Sequence, residues 1–368
     1  MAGTLEHPER AVVDSVTIGT LAPYLLAAFG LLLFASVRSW RLCDRKLDTF
    51  VTLLLIVTLA AVAGSFDLGT DAPEYRSFYD ILPSLPERYG WWEPGFEGAA
   101  LAFAKAGAPY GLFVFACVLL SHLLKLYVLD HFVSNRLLAF FVLFCFNLGE
   151  VAFVRQYLAA SILLVAFLQM TRHRIGWAFF LILIATLVHK TALIAGVIIV
   201  FAYYGRAALK PLGLLTLALL AIYVALPASI TDAIESRILT QVAVYTVEGY
   251  VQGLQSQDIS VPRNMAKFGV YLLLALWMAL VPARTETELA QRRAATVAVA
   301  LSFTGFCLVV AVSTVFSRMS TFIFPFLAVS LRTERFAPRY SQVLTQFTVV
   351  LMLLANLYVS TYPLVEYL

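Results

Sequence analysis

Charged residues are scarce in this chain. Only 13% of its 368 residues are Asp, Glu, Lys or Arg, whereas 61% are hydrophobic. A soluble protein of this composition would expose large apolar patches and aggregate. The long apolar runs also exceed what one soluble core can use. The composition therefore predicts an all-α, polytopic membrane protein that forms a single integral membrane domain over residues 1–368.

Cysteines and the common catalytic signatures are sparse as well. The four cysteines, Cys43, Cys117, Cys145 and Cys307, are scattered, and three of them lie inside apolar runs. This pattern indicates neither a disulfide framework nor a metal site. The sequence contains no HExxH, GxSxG, CxxC or GxxxxGK[ST] motif, so zinc proteases, serine hydrolases, thiol oxidoreductases and P-loop NTPases lack their signatures here. We expect no metal, no cofactor and no nucleic-acid partner.

Apolar runs long enough to cross a membrane recur along the chain. A window of about 19 residues, matched to roughly 30 Å of hydrocarbon, finds about twelve of them. The first follows a mixed-charge segment without the basic region and cleavage site of a signal peptide, so we expect it to be a retained span. The predicted spans lie near residues 17–36, 49–66, 109–129, 137–153, 156–170, 175–189, 191–205, 211–227, 265–282, 294–316, 319–332 and 342–360.

The charges predict the orientation of these spans. The links after the first span and every second span thereafter are short and basic, with Arg38, Arg41, Arg136, Arg172, Arg206, Arg284 and Arg335 among their residues. The positive-inside rule places these links in the cytoplasm and both termini outside. The short links leave no room for a nucleotide-binding domain, so we expect any chemistry on the outer face, where ATP and nucleotide sugars are absent.

The other side of the predicted membrane is acidic. Its carboxylates lie mainly in two longer loops, residues 67–108 and 228–264. They are Asp67, Asp71, Glu74, Asp80, Glu87, Glu93, Glu97, Asp232, Glu235, Glu248 and Asp258. These loops are therefore the predicted place of an outward-facing site.

Short amphipathic helices are predicted in both outer loops. In the first loop, Asp71 followed by Glu74 is typical of a helix start, and aromatic residues then follow at helical spacing. A second helix is predicted from Pro94, because proline suits the first helical turn. In the second loop, Asp232 followed by Glu235 indicates another start. We expect these helices to rest on the membrane surface.

The stretch YGWWEPGFEG, residues 89–98, places a carboxylate between two tryptophans and a proline. Tryptophans at the headgroup level usually anchor a protein in the interface, which is the ordinary role for Trp91 and Trp92. Glu93 precedes a proline and is pushed toward an extended conformation, and glutamate is a poor N-cap. The ordinary explanation of Glu93 is a solvated surface carboxylate. The ordinary explanation of Asp71 is that it caps the N-terminus of the predicted helix.

Three short hairpins carry polar residues at the outer ends of predicted spans. Glu150 and Arg155 bracket one turn, His189 and Lys190 stand at the second, and Arg318 stands at the third. Such residues are costly in lipid, so they are functional candidates, although a structural ion pair or a snorkelling side chain explains any single one. Together, three cationic tips beside an acidic loop predict a site for a phosphorylated, partly polar ligand, and the arginine fork suits diphosphate oxygens.

The order of several motifs resembles the EpsG family, the Wzy-like membrane proteins of bacterial exopolysaccharide and capsule assembly. The resemblance covers about residues 67 to 330, most of the chain. The motifs are GTD (69–71), Tyr75, WEPGF (92–96), VRQYLAASILL (154–164), ATLVHKTALI (185–194) and SRMSTFIFP (317–325). The second outer loop shows no matching pattern.

The resemblance implies a multi-span helical bundle similar to the GT-C glycosyltransferases, with an outward cavity in the bacterial inner or plasma membrane. It implies a polymerase that joins undecaprenyl-diphosphate-linked oligosaccharide repeats into exopolysaccharide, capsule or O-antigen. The diphosphate is an activated leaving group, which agrees with a chain that has no cytoplasmic nucleotide-binding domain. The implied partners are the lipid-linked oligosaccharide, membrane lipid, a chain-length regulator and a flippase.

This chemistry assigns expected roles to the candidate residues. A sugar hydroxyl needs a general base, and cations must stabilise the leaving diphosphate. The expected catalytic residues, in order of preference as the base, are Glu93, His189 and Asp71. The expected diphosphate-binding residues are Arg155, Arg318 and Lys190. The expected sugar-binding residues are Trp91, Trp92 and Tyr75.

Other functions are compatible with about twelve spans. A lipid-linked oligosaccharide flippase or a related transporter would also bind a lipid diphosphate, although transporters bind near the midplane and show repeats that this sequence lacks. An O-antigen ligase would transfer a finished glycan to a lipid core instead of extending it. A membrane O-acyltransferase could use His189, but the neighbouring residues do not specifically indicate it.

Overall fold

The computed structural model describes residues 45–65, 72–85, 92–133, 136–137, 139–140, 143, 154–204, 261–311 and 319–331. Throughout these ranges the regular structure is helical, without strands. The ten α-helices, in chain order, are α1 (Arg45–Ser65), α2 (Ala72–Ile81), α3 (Pro94–Lys105), α4 (Tyr110–Phe132), α5 (Val154–Thr171), α6 (Ile175–Val188), α7 (Thr191–Tyr204), α8 (Val261–Leu280), α9 (Glu286–Ala311) and α10 (Ser320–Ser330).

The prediction of an all-helical membrane protein is confirmed in this coarse form. Among the described residues, three helices are long and apolar enough to cross a membrane: most of α1, all of α4 and all of α5. Helices α6, α7 and α10 and the segment Phe268–Leu280 of α8 are shorter and apolar. The predicted spans near 17–36, 211–227 and 342–360, and most of 137–153, lie outside the described residues.

Helix α5 is at the centre of the packing. It contacts α4, α6, α7 and α10, and 83% of its most apolar window is buried inside the protein. Two hydroxyl side chains join it to α4 at mid-length, where Ser121 and Ser161 hydrogen-bond at 2.8 Å. A pair of hydroxyls satisfies both polar groups within the apolar interior. The first turn of α5, which carries Arg155, is thereby fixed relative to the other helices.

The segment between α1 and α4 contains the two predicted short helices, α2 and α3. Helix α3 begins at Pro94, as predicted, and ends at Lys105, before Gly107 adopts a left-handed backbone with φ of 73°. The Tyr79 hydroxyl of α2 donates a hydrogen bond to the carbonyl oxygen of Ala108 at 2.8 Å. This bond joins α2 to the short segment that follows α3. The predicted helix start in the second loop lies outside the described part of the chain.

Two helices begin before the spans predicted for them. Helix α8 begins at Val261, four residues before the predicted span 265–282, and α9 begins at Glu286, eight residues before the predicted span 294–316. The reason for the early start of α9 is a capping box. The Glu288 N–H donates to the Thr285 hydroxyl at 3.1 Å, and the Thr285 N–H donates to the Glu288 carboxylate at 3.2 Å. This reciprocal pair satisfies helix-end donors without apolar periodicity, which is the signal that span prediction uses.

Two glycines allow α1 and α4 to approach closely. A Cβ atom added to Gly64 would clash with the carbonyl oxygen of Gly111 and lie 3.0 Å from the Cβ of Phe115. A Cβ added to Gly111 would clash with the carbonyl oxygen of Gly64. Small residues at a crossing let backbones pack closely in membrane proteins, where packing contributes much of the association free energy.

We expect Gly64→Ala to lower the thermal unfolding temperature of the detergent-solubilised protein, because the helices must separate. Gly269→Ala in α8 is the matched control, since its added Cβ would meet no atom within 4 Å. Alanine there should be neutral or stabilise by up to about 1 kcal/mol. Differential scanning fluorimetry measures both variants. Equal unfolding temperatures for the two variants would contradict the close α1–α4 crossing.

Candidate active site

Glu93 lies immediately before α3 with an extended backbone, φ −62° and ψ 143°, and its side chain does not cap the helix. The extended conformation follows from the proline that comes next. The Glu93 side chain is only 9% exposed, so it is not a solvated surface carboxylate. A buried carboxylate needs partners that offset its lost hydration.

Three donor groups surround the Glu93 carboxylate. Nη1 of Arg155, in the first turn of α5, donates to Oε2 at 2.8 Å. The backbone N–H of Lys190 donates to Oε1 at 3.1 Å. Nδ1 of His189 lies 2.9 Å from Oε1. The structure thus brings together four predicted site residues: Glu93, Arg155, His189 and, through its backbone, Lys190.

Tyr75 of α2 holds the other edge of the Arg155 guanidinium. Nε and Nη2 of Arg155 donate to the Tyr75 hydroxyl at 3.0 and 2.5 Å. The guanidinium carbon also lies 4.8 Å from the centroid of the Tyr75 ring. Arg155 is therefore fixed between a carboxylate and a phenol. Tyr75, expected to bind sugar, here orients the arginine.

Trp92 packs behind this pair. Its side chain is buried, and its ring meets those of Tyr75, Phe78 and Phe96 edge-on at centroid distances of 5.4, 4.6 and 5.3 Å. The guanidinium of Arg155 lies 6.0 Å from the Trp92 ring centroid. Edge-on aromatic packing of this kind favours a supporting role for Trp92 over an interfacial anchor. Sugar binding by Trp92 stays a prediction.

Gly95 allows the start of α3 to reach the turn between α6 and α7. A Cβ atom added to Gly95 would lie 2.8 Å from the carbonyl oxygen of Leu187, at the end of α6. This contact is closer than a Cβ atom tolerates, so the approach requires glycine. Because Glu93 stands two residues before Gly95 and His189 two residues after Leu187, the close approach brings their side chains together.

Asp71, Trp91 and Arg318 lie outside the described residues. Their expected roles stay predictions. Lys190 has an exposed side chain, so its ammonium group is accessible while its backbone N–H is held by Glu93.

Glu97 and Thr191 are polar residues that the expected site residues did not include. Glu97 is 2% exposed, and neither carboxylate oxygen has a hydrogen-bond partner within the described part of the protein. The buried Thr191 hydroxyl, next to Lys190 in the chain, likewise has no such partner there. A signal for Glu97 was present in the sequence, because an acidic residue in the first turn of the predicted helix from Pro94 lies close to Glu93 in the chain.

The sequence pattern of the EpsG family matches residues 48–367 of this chain. The chain belongs to the EpsG family. This is a family of Wzy-like polymerases, and together with the apolar helices it supports a membrane protein. No curated protein and no solved structure matches the chain.

The charge states in this EpsG-family site follow from its contacts. Burial alone raises the pKa of the Glu93 carboxyl, but His189, the Arg155 charge and the Lys190 N–H outweigh burial and hold that pKa at about 2. Burial lowers the pKa of His189; Glu93 opposes this effect, and the charges of Arg155 and Lys190 add to it. Near neutral pH, Glu93 is therefore ionised and His189 is a neutral imidazole that can accept a proton.

The low pKa of Glu93 predicts how the pair responds to acid. The folded-state pKa, about 2, lies below the ordinary 4.5, so the contribution of Glu93 to stability is complete above about pH 4.5 and is lost toward pH 2. Glu93→Gln should lower the free energy of unfolding at pH 7 by about 3 kcal/mol, because it leaves a buried arginine unpaired.

The measurement is the difference in unfolding temperature between the wild type and Glu93→Gln, in detergent, at pH 7 and pH 3. We expect a clear difference at pH 7 that shrinks at pH 3. Using the difference cancels the titration of all other carboxylates. A difference of the same size at both pH values would show that Glu93 does not titrate below its ordinary range.

Proposed function

We propose that this EpsG-family protein is a polymerase that joins polyprenyl-diphosphate-linked oligosaccharide repeats, with undecaprenyl diphosphate as the lipid carrier. The observation that carries this proposal is the buried Glu93–Arg155–His189 cluster in a chain that belongs to a polymerase family. A guanidinium, a neutral imidazole and a carboxylate are the groups that transfer from a diphosphate leaving group requires.

The reaction forms one bond and breaks one. A hydroxyl of the acceptor sugar attacks the anomeric carbon of the donor glycan, and the bond from that carbon to the diphosphate oxygen breaks. The new glycosidic bond extends the polymer, the hydroxyl proton passes to a base on the protein, and the lipid diphosphate leaves with the bonding electron pair. No nucleotide is consumed.

Arg155 is the residue that we propose stabilises the leaving diphosphate. Its guanidinium has five N–H donors, of which three donate to Glu93 and Tyr75. The guanidinium can donate to phosphate oxygens of the donor, and the exposed ammonium of Lys190 supplies a second cation. We propose Arg318 as a third. Preorganised cations stabilise the charge that develops on the leaving diphosphate.

We propose His189 as the base, ahead of Glu93 and Asp71. A carboxylate with a pKa of about 2 is a weak base, whereas the neutral His189 has a second nitrogen, Nε2, with no hydrogen-bond partner among the described residues. Glu93 beside Nδ1 orients the ring and stabilises the imidazolium that forms, as a carboxylate does beside a catalytic histidine. Glu93 is thus a positioning residue.

The finer architecture is also part of the proposal. We propose about twelve spans in a GT-C-like bundle, with both termini and the site on the outer side of the cytoplasmic membrane. The described helices α4 to α7 supply the membrane-embedded support, and the loop helices α2 and α3 supply Tyr75 and Glu93. Trp91 is the proposed sugar-stacking residue, and a chain-length regulator and a flippase are the proposed partners.

The test is the size and sidedness of lipid-linked glycans in cells that carry the wild type or a variant. Arg155→Ala and His189→Gln should each reduce polymer by about two orders of magnitude or more, with single repeats accumulating on the outer face. Arg174→Ala changes an exposed arginine in the turn between α5 and α6; it is the matched control and should leave chain length unchanged. Immunoblots of membranes establish equal insertion.

Each outcome has a distinct meaning. Single repeats trapped on the cytoplasmic face of sealed vesicles would identify a flippase and overturn the polymerase proposal. Wild-type chain lengths in Arg155→Ala and His189→Gln would overturn the residue roles.

A further inference from the structure

The donors around Glu93 form a cradle for an anion, and a carboxylate from the chain itself occupies it. The cradle consists of the Arg155 guanidinium, the Lys190 backbone N–H and the His189 ring. These groups come from α5 and from the turn before α7, whereas the carboxylate comes from the start of α3. The donors and the anion therefore belong to separate elements that can part without breaking a helix.

The same donors suit a phosphate oxygen. Arginine presents a planar fork that matches phosphate geometry. The Lys190 N–H lies one residue before the fourteen-residue helix α7, at the end where the helix dipole favours negative charge. The third donor group, His189, is itself about nine-tenths buried and faces the carboxylate. Nothing in this set is specific for a carboxylate.

Building on the proposed function, we infer that Glu93 occupies part of the donor's diphosphate site while the protein is empty. The incoming diphosphate replaces Glu93 as the acceptor of the hydrogen bonds from Arg155 and from the Lys190 N–H. The Glu93 carboxylate then contacts His189 alone. Glu93 is thus an exchangeable internal anion, and the site passes from a carboxylate-bound to a diphosphate-bound state.

Charge repulsion requires this exchange. Oε2 of Glu93 lies 2.8 Å from Nη1 of Arg155, so a phosphate oxygen on the same nitrogen would stand next to the carboxylate. Two like charges at this range repel strongly in a partly buried site. The two anions therefore cannot share these donors, and the more highly charged diphosphate displaces the carboxylate.

The exchange links donor binding to activation of the base. In the empty state, Arg155 neutralises Glu93 and its own charge disfavours protonation of His189. Once the diphosphate has neutralised Arg155, the full charge of Glu93 acts on His189 and favours the imidazolium. The base is consequently strengthened only when the leaving group is in place.

The test measures pyrophosphate affinity of the purified full-length protein in detergent by isothermal titration calorimetry. Glu93→Gln should bind inorganic pyrophosphate about tenfold more tightly than the wild type or better, because a competing charge is removed. Arg155→Ala should bind inorganic pyrophosphate more weakly than the wild type. Glu74→Gln removes an exposed carboxylate from the same loop and is the control for overall charge, with affinity expected within about threefold of the wild type.

Unchanged or weaker binding by Glu93→Gln would overturn the inference, as would an equal gain in Glu74→Gln or the absence of binding to both the wild type and Glu93→Gln. Size-exclusion profiles identify a variant that has not folded. A loss of polymer in cells with no change in these affinities would leave the proposed function intact and reject the exchange alone.

A second measurement uses the wild type and needs no substitution. Carbodiimide labelling of Glu93, quantified by mass spectrometry, should rise when pyrophosphate is added, because the carboxylate leaves Arg155 and becomes reactive. Labelling that falls or stays constant at saturating pyrophosphate would contradict the exchange. Labelling of Glu74 is the internal reference.

Discussion

The ion pair between Arg155 and Glu93 is the interaction on which the arrangement of the candidate site depends. Each of these groups would be costly to bury alone, and each supplies the partner that offsets the lost hydration of the other. The pair also joins the central helix α5 to the loop helix α3. Tyr75 adds α2 to the same junction, and the Lys190 N–H adds the turn before α7. Four separate parts of the chain therefore converge on one guanidinium and one carboxylate.

Packing around this junction is consistent with a site that must hold charge in a dry environment. The buried Trp92 shields one side of the guanidinium, and Gly95 lets α3 approach the end of α6 closely enough for Glu93 to meet His189. Exclusion of water strengthens each electrostatic contact, and in the proposed reaction this would let Arg155 stabilise the leaving diphosphate. The same exclusion makes an unpaired arginine unfavourable, so an internal anion is needed whenever substrate is absent.

Many of the helices could be predicted from the sequence, since apolar runs predict helices and the position of Pro94 predicts the start of α3. The choice of Arg155, His189 and Lys190 followed from costly polar residues at the ends of predicted spans, and the choice of Glu93 followed from its position before Pro94, which N-capping does not explain. Their contacts could not be predicted, because Glu93 meets partners 62 and 97 residues away, and only tertiary packing sets such distances. The burial of Trp92 was missed for a related reason: tryptophan is typical of both membrane interfaces and aromatic cores. The early start of α9 depends on a capping box that hydropathy does not detect.

The most direct measurement of the central claim is made with purified protein in liposomes supplied with a defined polyprenyl-diphosphate-linked oligosaccharide and no nucleotide. If this protein joins such units at the Arg155 site, lipid-linked dimers and longer multimers appear over time, with free polyprenyl diphosphate released once for every new glycosidic bond. If the oligosaccharide stays at one repeat while the lipid crosses the bilayer, or no diphosphate is released under conditions where the wild type is folded, the account is contradicted.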